Sequence, residues 1–247
     1  MRKNLKNEIE SQIESQIESQ IAMEVNPFIG QWSTVKTKTK NGEVIMNEMT
    51  CQKLYVKRVP IENGLQEVKI LKKLNGIMGI PQLYYYNVEK DWVKIYMTYL
   101  EGTAISDYEM TGKELMEIFK SGLRVLKAIH LAGVLHRDIC PRHLLVMNQG
   151  YIGVVDFGTA IEVDLEISDE IVGTMAYAAP EALFKPETFH FSSDLYAYAK
   201  SFFPIFKRHF EKKQPEKLNI FSKALALDPK IRFKDVESAM DYIENTV

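Results

Sequence analysis

The sequence predicts an α+β fold, a β-rich stretch followed by a longer, more helical one. Three observations carry that expectation. The stretch from Asn26 to about Val59 is strand-rich and is broken by Asn41-Gly42, a strong hairpin signal. Apolar residues recur at helical spacing from Leu115 to Leu131, and a second helical stretch runs from Ser192 to about His209. Between these helices lie two short apolar runs, Leu144–Val146 and Ile152–Val155, flanking an Asn148-Gln149-Gly150 turn. Asp138 stands on the loop before the first run and Asp156 just past the second.

The chain has 247 residues, enough for one good core or two small lobes sharing a cleft. Its 46% hydrophobic and 26% charged fractions are those of a globular protein. A formal charge of -2 gives no electrostatic case for nucleic acid or a membrane surface as partner. No run approaches the roughly 18 apolar residues of a membrane span, and the polar start does not read as a secretory signal. The cysteines, Cys51 and Cys140, are far apart, which fits a reducing compartment and shows no zinc spacing. A cytoplasmic or nuclear location is expected.

Taken in order, residues 1–25 form a low-complexity segment built on repeats of Ile-Glu-Ser-Gln. Isoleucine every four residues drifts only about 40° per step on a helix, so Ile9, Ile13, Ile17 and Ile21 share one face. A segment this short is barely stable alone, so a marginal helix or disordered tail competes with a partner-binding helix. Residues 26–247 read as one domain, with the β-rich lobe over about 26–99 and the helical lobe over about 100–247. In the first lobe the strands are Trp32–Lys40, Glu43–Met49, Lys53–Val59, Gln82–Tyr86 and Trp92–Tyr99, with a helix at about Glu62–Asn75. In the second, Leu115, Ile118, Phe119, Leu123, Leu126 and Ile129 or His130 mark the core face of the long helix. His130 reads as a helix-end residue. Ser192 or Ser193 is the expected cap of the helix that follows.

Two carboxylates on neighbouring loops suit phosphoryl transfer, where one accepts a hydroxyl proton and the other holds a divalent cation. His136-Arg137-Asp138 followed by Asp156-Phe157-Gly158 resembles the HRD and DFG segments of eukaryotic-type protein kinases. Gly173-Thr174-Met175-Ala176-Tyr177-Ala178-Ala179-Pro180-Glu181 resembles the segment that closes a kinase activation loop. The resemblance runs over about residues 28–243, and is weakest at the start. It implies a two-lobed protein-kinase-like fold that binds ATP with Mg²⁺, or with Mn²⁺, and acts on Ser or Thr of a protein substrate. Thr174 and its neighbours resemble the Ser/Thr class more than the tyrosine class.

The same resemblance assigns roles residue by residue. Asp138 is the expected base and Asp156 the main metal ligand, with His143 where an asparagine usually supplies the second. Imidazole is a poor ligand for a hard cation such as Mg²⁺ and suits Mn²⁺ better, or serves to bond the loop. Cys140 replaces a lysine that stabilises charge on the moving phosphoryl, and Arg142 stands where tyrosine kinases place a substitute arginine. Cys140 itself reads as a packed neutral thiol. Lys57 matches the phosphate-gripping lysine and Glu67 its helix partner, only ten positions on, which implies a helix shortened by its first turn. Gly42, Val44, Met97, Tyr99 and Leu145 are the other expected nucleotide contacts, Met97 guarding the back and Thr98-Tyr99-Leu100 facing adenine. His136 is expected to pack in the core, Asp194 to anchor the loop backbone, and Arg232 to pair with Glu181. Ser168, with Arg137 as receiver, is the candidate regulatory phosphate site.

Departures from the family pattern keep a second reading open. The glycine loop is poor whether the motif begins at Thr37, keeping only Gly42, or at Gly30. Tyr55 replaces a small alanine that lies against adenine. Cys140 and His143 are non-standard, and the stretch from Phe210 to Leu218 is too short for the usual substrate-docking helix. The alternative is a pseudokinase, a binding or scaffolding module with the same fold.

Overall fold

The computed structural model describes residues 30–39, 42–163 and 170–246. The Ile-Glu-Ser-Gln repeat, Asn41 of the hairpin turn, and Ser168 lie outside the described residues. The first lobe is a five-stranded antiparallel sheet with one helix. Its elements are β1 (Trp32–Thr39), β2 (Gly42–Asn47), β3 (Lys53–Pro60), α1 (Ile61–Lys73), β4 (Leu83–Val88) and β5 (Trp92–Thr98). Strand order is β1-β2-β3-β5-β4, so β3 is central, and Lys57 pairs with Gly42 on one side and Ile95 on the other. Leu54 and Val56 of β3 are buried, as are Val93, Ile95 and Met97 of β5, the alternation of a half-buried strand. α1 begins directly after Pro60 and lays Val68, Ile70 and Leu71 on this sheet.

The second lobe holds β6 (Gly102–Ala104), α2 (Gly112–Leu131), β7 (Val134–Leu135), β8 (Leu144–Met147), β9 (Ile152–Val154) and β10 (Ile161–Glu162). It continues with α3 (Pro180–Phe184), α4 (Phe191–Phe210), α5 (Asn219–Ala224) and α6 (Val236–Thr246). β6, β8 and β9 form one small sheet, and β10 pairs with β7. The six residues predicted for the core face of α2, with Leu115 first, are all buried, and so is His130. α2 starts three residues earlier than its apolar spacing suggests. Thr111 and Glu114 make a capping box, the Thr111 N–H donating to Glu114 Oε2 at 2.9 Å and the Glu114 N–H to Thr111 Oγ1 at 3.3 Å.

α4 begins one residue before Ser192, and neither serine is its cap. His190 holds that position, and Ser193, inside the first turn, accepts from the His190 N–H at 3.1 Å. The core between α2, α4 and α5 is aromatic: Phe119 meets the rings of Tyr198, Phe202, Phe206 and Phe221 at centroid distances of 5.3, 5.1, 5.0 and 5.8 Å. Burying one such ring stabilises by about 1.5–3 kcal/mol. This block fixes α4, and α4 carries Asp194, on which the loop above depends.

Candidate active site

The loop from His136 to His143 takes its shape from Asp194. That carboxylate is fully buried and accepts from the His136 N–H at 2.8 Å, the Arg137 N–H at 3.0 Å and His130 Nε2 at 3.1 Å. Burial pushes the Asp194 carboxyl up, but the hydrogen bonds from the His130 ring and the His136 backbone N–H more than offset this and hold it low. His130 is thus more than the helix-end residue its position suggested. It supplies the third donor of the anchor, a role with no sequence spacing to mark it. Arg137 sits at φ 68°, left-handed backbone that a non-glycine residue adopts only when its surroundings hold it there.

His136 is wholly buried, with its ring 4.9 Å from that of Phe157. Burial lowers its pKa, so it is neutral. The Asp138 N–H donates to its Nδ1 at 3.3 Å, which leaves Nε2 as the protonated nitrogen, donating to the Val155 carbonyl at 3.2 Å. His136 therefore links the Asp138 loop to the end of β9, where Asp156 follows, also in left-handed backbone at φ 66°. Both aspartates are aimed by strained turns on rigid elements.

Above them, Lys57 Nζ lies 2.9 Å from both Glu67 oxygens and 2.7 Å from Asp156 Oδ1. Lys57 and Glu67 are almost fully buried. Burial works against the ammonium, but the two carboxylates win and raise the Lys57 pKa, while the same ammonium helps hold Asp156 below the usual carboxylate range against its own burial. Burial pushes Glu67 up against the pull of Lys57. The ten-residue spacing from Lys57 to Glu67 suffices because α1 starts without a linker.

A cleft of about 200 Å³ lies between the lobes, lined by Tyr55, Lys57, Glu67, Met97, Thr98, Tyr99, Leu100, His143, Leu145, Asp156 and Phe157. Gly42 and Val44 do not line it. Val44 is opposite Tyr55 across β2 and β3, and a Cβ on Gly42 would fall 2.8 Å from the Tyr55 hydroxyl and 2.3 Å from the Val56 carbonyl. Only a glycine fits there, because the Val56 carbonyl and the Tyr55 ring take up the space. Gly30 lies at the far end of the hairpin, where an added Cβ would be 2.9 Å from Asn47 Nδ2, so the register beginning at Gly30 does not bring a glycine to Lys57.

Asp138 and His143 close the lower edge. Asp138 Oδ1 accepts from the Thr174 N–H at 2.7 Å, tying the base candidate to the segment before Pro180. Gly173 is required for this approach: its φ is 83° and an added Cβ would sit 2.4 Å from the Arg137 carbonyl. His143 Nδ1 bonds to the Asp138 carbonyl at 2.8 Å and lies 3.4 Å from Asp138 Oδ2, while Nε2 lies 3.6 Å from Asp156 Oδ2. Burial alone would lower the His143 pKa, but hydrogen bonds to Cys140 and the Asp138 carbonyl, with the charges of both residues, raise it to about 9. At neutral pH His143 is a cation between the two aspartates.

Burial pushes the Cys140 thiol up, but hydrogen bonding and charge from His143, with a hydrogen bond to Thr174, outweigh it and leave its pKa below the ordinary value. It is packed, as expected, but drawn toward the thiolate. Arg142 turns outward and donates to Thr174 Oγ1 at 2.9 Å. Further off, Arg232 holds Glu181 through two nitrogens, Nη1 at 2.8 Å from Oε1 and Nη2 on Oε2.

A two-lobed chain that pairs a sheet lysine with a helix glutamate above two loop aspartates has the design of a phosphotransferase. Residues 29–241 match the family described as the protein kinase domain, and the chain belongs to that family. Among curated relatives it is 30% identical over 154 residues to a RAC family serine/threonine-protein kinase homolog of Dictyostelium discoideum, covering 59% of this chain and 34% of that protein. It is 28% identical over 185 residues to G protein-coupled receptor kinase 2 of Drosophila melanogaster, covering 67% and 26%. It is 30% identical over 169 residues to serine/threonine-protein kinase cds1 of Schizosaccharomyces pombe, covering 66% and 34%. The matched part spans about a quarter to a third of the length of these relatives. No helix among the described residues is long and apolar enough to cross a membrane.

Proposed function

We propose that this chain is an active protein kinase that moves the γ-phosphoryl of ATP to a serine or threonine hydroxyl of a protein. The observation that carries this reading is the assembled contact of Lys57 with both Glu67 and Asp156, within 2.9 Å. Lys57, fixed by Glu67, presents its ammonium to the nucleotide phosphates. Met97 and Leu145 give the base apolar walls. The Thr98 and Tyr99 amides are already bonded, to the Gln82 carbonyl at 2.9 Å and the Lys53 carbonyl at 3.2 Å, so the hinge donor to adenine falls to Leu100. Asp138 takes the hydroxyl proton of the acceptor, with Thr174 keeping its carboxylate oriented.

The donor set fits one hard divalent cation better than two. Asp156 Oδ2 is a suitable oxygen ligand, whereas His143 offers nitrogen and carries a proton at neutral pH. A divalent cation bound at Asp156 would neutralise phosphate charge as the phosphoryl moves. His143→Asn replaces a cation with a neutral carbonyl oxygen, so transfer in Mg²⁺ is expected to rise severalfold. A variant slower than the parent in Mg²⁺ would sink this assignment.

The scaffold reading has two observations in its favour: Tyr55 reaches Gly42, and the cleft is smaller than the roughly 300 Å³ at which ligand sites begin. The deciding experiment is thermal shift with ATP and Mg²⁺ or Mn²⁺, followed by γ-phosphoryl transfer to a generic protein. Stabilisation and transfer by the parent support the kinase. No shift in the parent with recovery in Tyr55→Ala supports the scaffold.

A further inference from the structure

We propose that Asp138, Cys140 and His143 form a binding site for a borderline-soft divalent cation of the zinc type, and that filling it disables the catalytic base. The first half stands on geometry alone; the second rests on the phosphotransfer reading above. The three side chains offer a carboxylate oxygen, a sulfur and an imidazole nitrogen, all within 4.8 Å of one another. Tetrahedral zinc with bonds of about 2.0–2.3 Å needs ligand separations of about 3.3–3.6 Å, so the trio closes on a cation by moving about 1 Å. Asp138 Oδ2 and His143 Nδ1, at 3.4 Å, already have that separation, and binding releases to solvent the Nδ1 proton now donated to the Asp138 carbonyl together with the Cys140 thiol proton.

The sequence hides this site because only one cysteine takes part, and the expectation that no zinc spacing exists considered cysteine pairs. Here one loop supplies all three ligands as Asp-x-Cys-x-x-His. The loop is held by Asp194, and Cys140 and His143 are buried, so the ligands are held close before any cation arrives. The Thr174 N–H orients Asp138 from behind, as outer partners of metal ligands do. The arginine between Cys140 and His143 is out of the way, since Arg142 is bonded to Thr174 Oγ1. Sulfur and imidazole select against Mg²⁺, which keeps oxygen ligands, so the site discriminates between the two ions. A cation here occupies the carboxylate that would accept the acceptor's proton. Three protein ligands leave a fourth position for water.

The test uses Co²⁺ as a spectroscopic probe with the whole chain. The parent is expected to develop a thiolate-to-cobalt charge-transfer band that saturates at one ion per chain, is erased by one equivalent of Zn²⁺, and survives a large excess of Mg²⁺. Cys140→Ser should lose the band and Cys51→Ser keep it. Because the chain has two cysteines, a band kept in Cys51→Ser comes from Cys140 even where Cys140→Ser fails to fold. Absence of the band in folded parent, or its loss in Cys51→Ser, overturns the site. Under saturating Mg²⁺ and ATP, Zn²⁺ should lower parental transfer by more than about tenfold, as loss of a general base does. Transfer by Cys140→Ser should change far less on adding Zn²⁺. A parent that binds cobalt but transfers nothing overturns the phosphotransfer reading and leaves the site standing. A parent that binds cobalt and is not inhibited overturns the regulatory half.

Discussion

Asp138→Asn is expected to lower γ-phosphoryl transfer by about 10²–10⁴-fold while leaving the thermal shift on ATP binding unchanged. The two readouts separate because Asp138 does not line the cleft between the lobes. Asparagine keeps an oxygen for the Thr174 N–H, so the bond at 2.7 Å that ties the segment to the loop survives, and only the ability to take a proton is lost. Asp156→Asn should behave in the opposite way. Its Oδ1 is the partner of Lys57 at 2.7 Å, and its other oxygen is the ligand left for a cation, so metal-dependent nucleotide binding itself should fall. Parallel assays of transfer and thermal shift on both variants check this. An Asp138→Asn protein with parental rates would remove Asp138 as base.

Arg232→Met should destabilise the chain by about 3–5 kcal/mol, because it strands a carboxylate rather than merely removing a contact. Glu181 keeps only 8% of its side chain exposed, and its other side-chain partner is the Ser193 hydroxyl at 2.6 Å. At about 2–4 °C per kcal/mol for a chain of this size, the melting temperature should drop by about 6–20 °C. Acid makes the same point with the parent. Burial alone would raise the Glu181 pKa, but hydrogen bonds from Arg232 and Ser193 hold it below the ordinary carboxylate value. A group lowered in this way adds stability above its unfolded pKa of about 4.3, and that stability is lost as pH falls through the folded value. Without Arg232, burial raises Glu181 instead, so acid should relieve the variant where it weakens the parent. Melting curves of both proteins between neutral pH and acid decide the matter. Equal acid slopes would contradict the pairing.

Much of the fold was legible because it rests on local patterns. The apolar spacing of α2, the alternation in β3 and the ordered triplet of Asp138, Asp156 and Glu181 segments are all visible along the chain. Helix starts were less so, since Thr111 and Glu114, or His190 and Ser193, act through side-chain bonds that apolar periodicity does not register. The site divides in the same way. Lys57 and Glu67 carry a recognisable spacing, but His130 reaches Asp194 across 64 residues and leaves no signature. The meaning of Cys140 was hidden too. Read alone it is a packed thiol; beside His143 and Asp138 it is a potential ligand. The sequence shows that Tyr55 is large for its place, yet where its hydroxyl goes, toward Gly42, depends on the register of β2 and β3.

The Asp194 anchor also has a meaning in time. The His136 and Arg137 amides are joined to a carboxylate 58 and 57 residues further along. At about 5–20 residues per second, a ribosome delivers Asp194 about 3–12 seconds after His136. The sheet ending at Thr98 is complete well before then, while the loop bearing Asp138 waits without its clasp. The chain therefore gains its first lobe early in synthesis and the loop bearing Asp138 late.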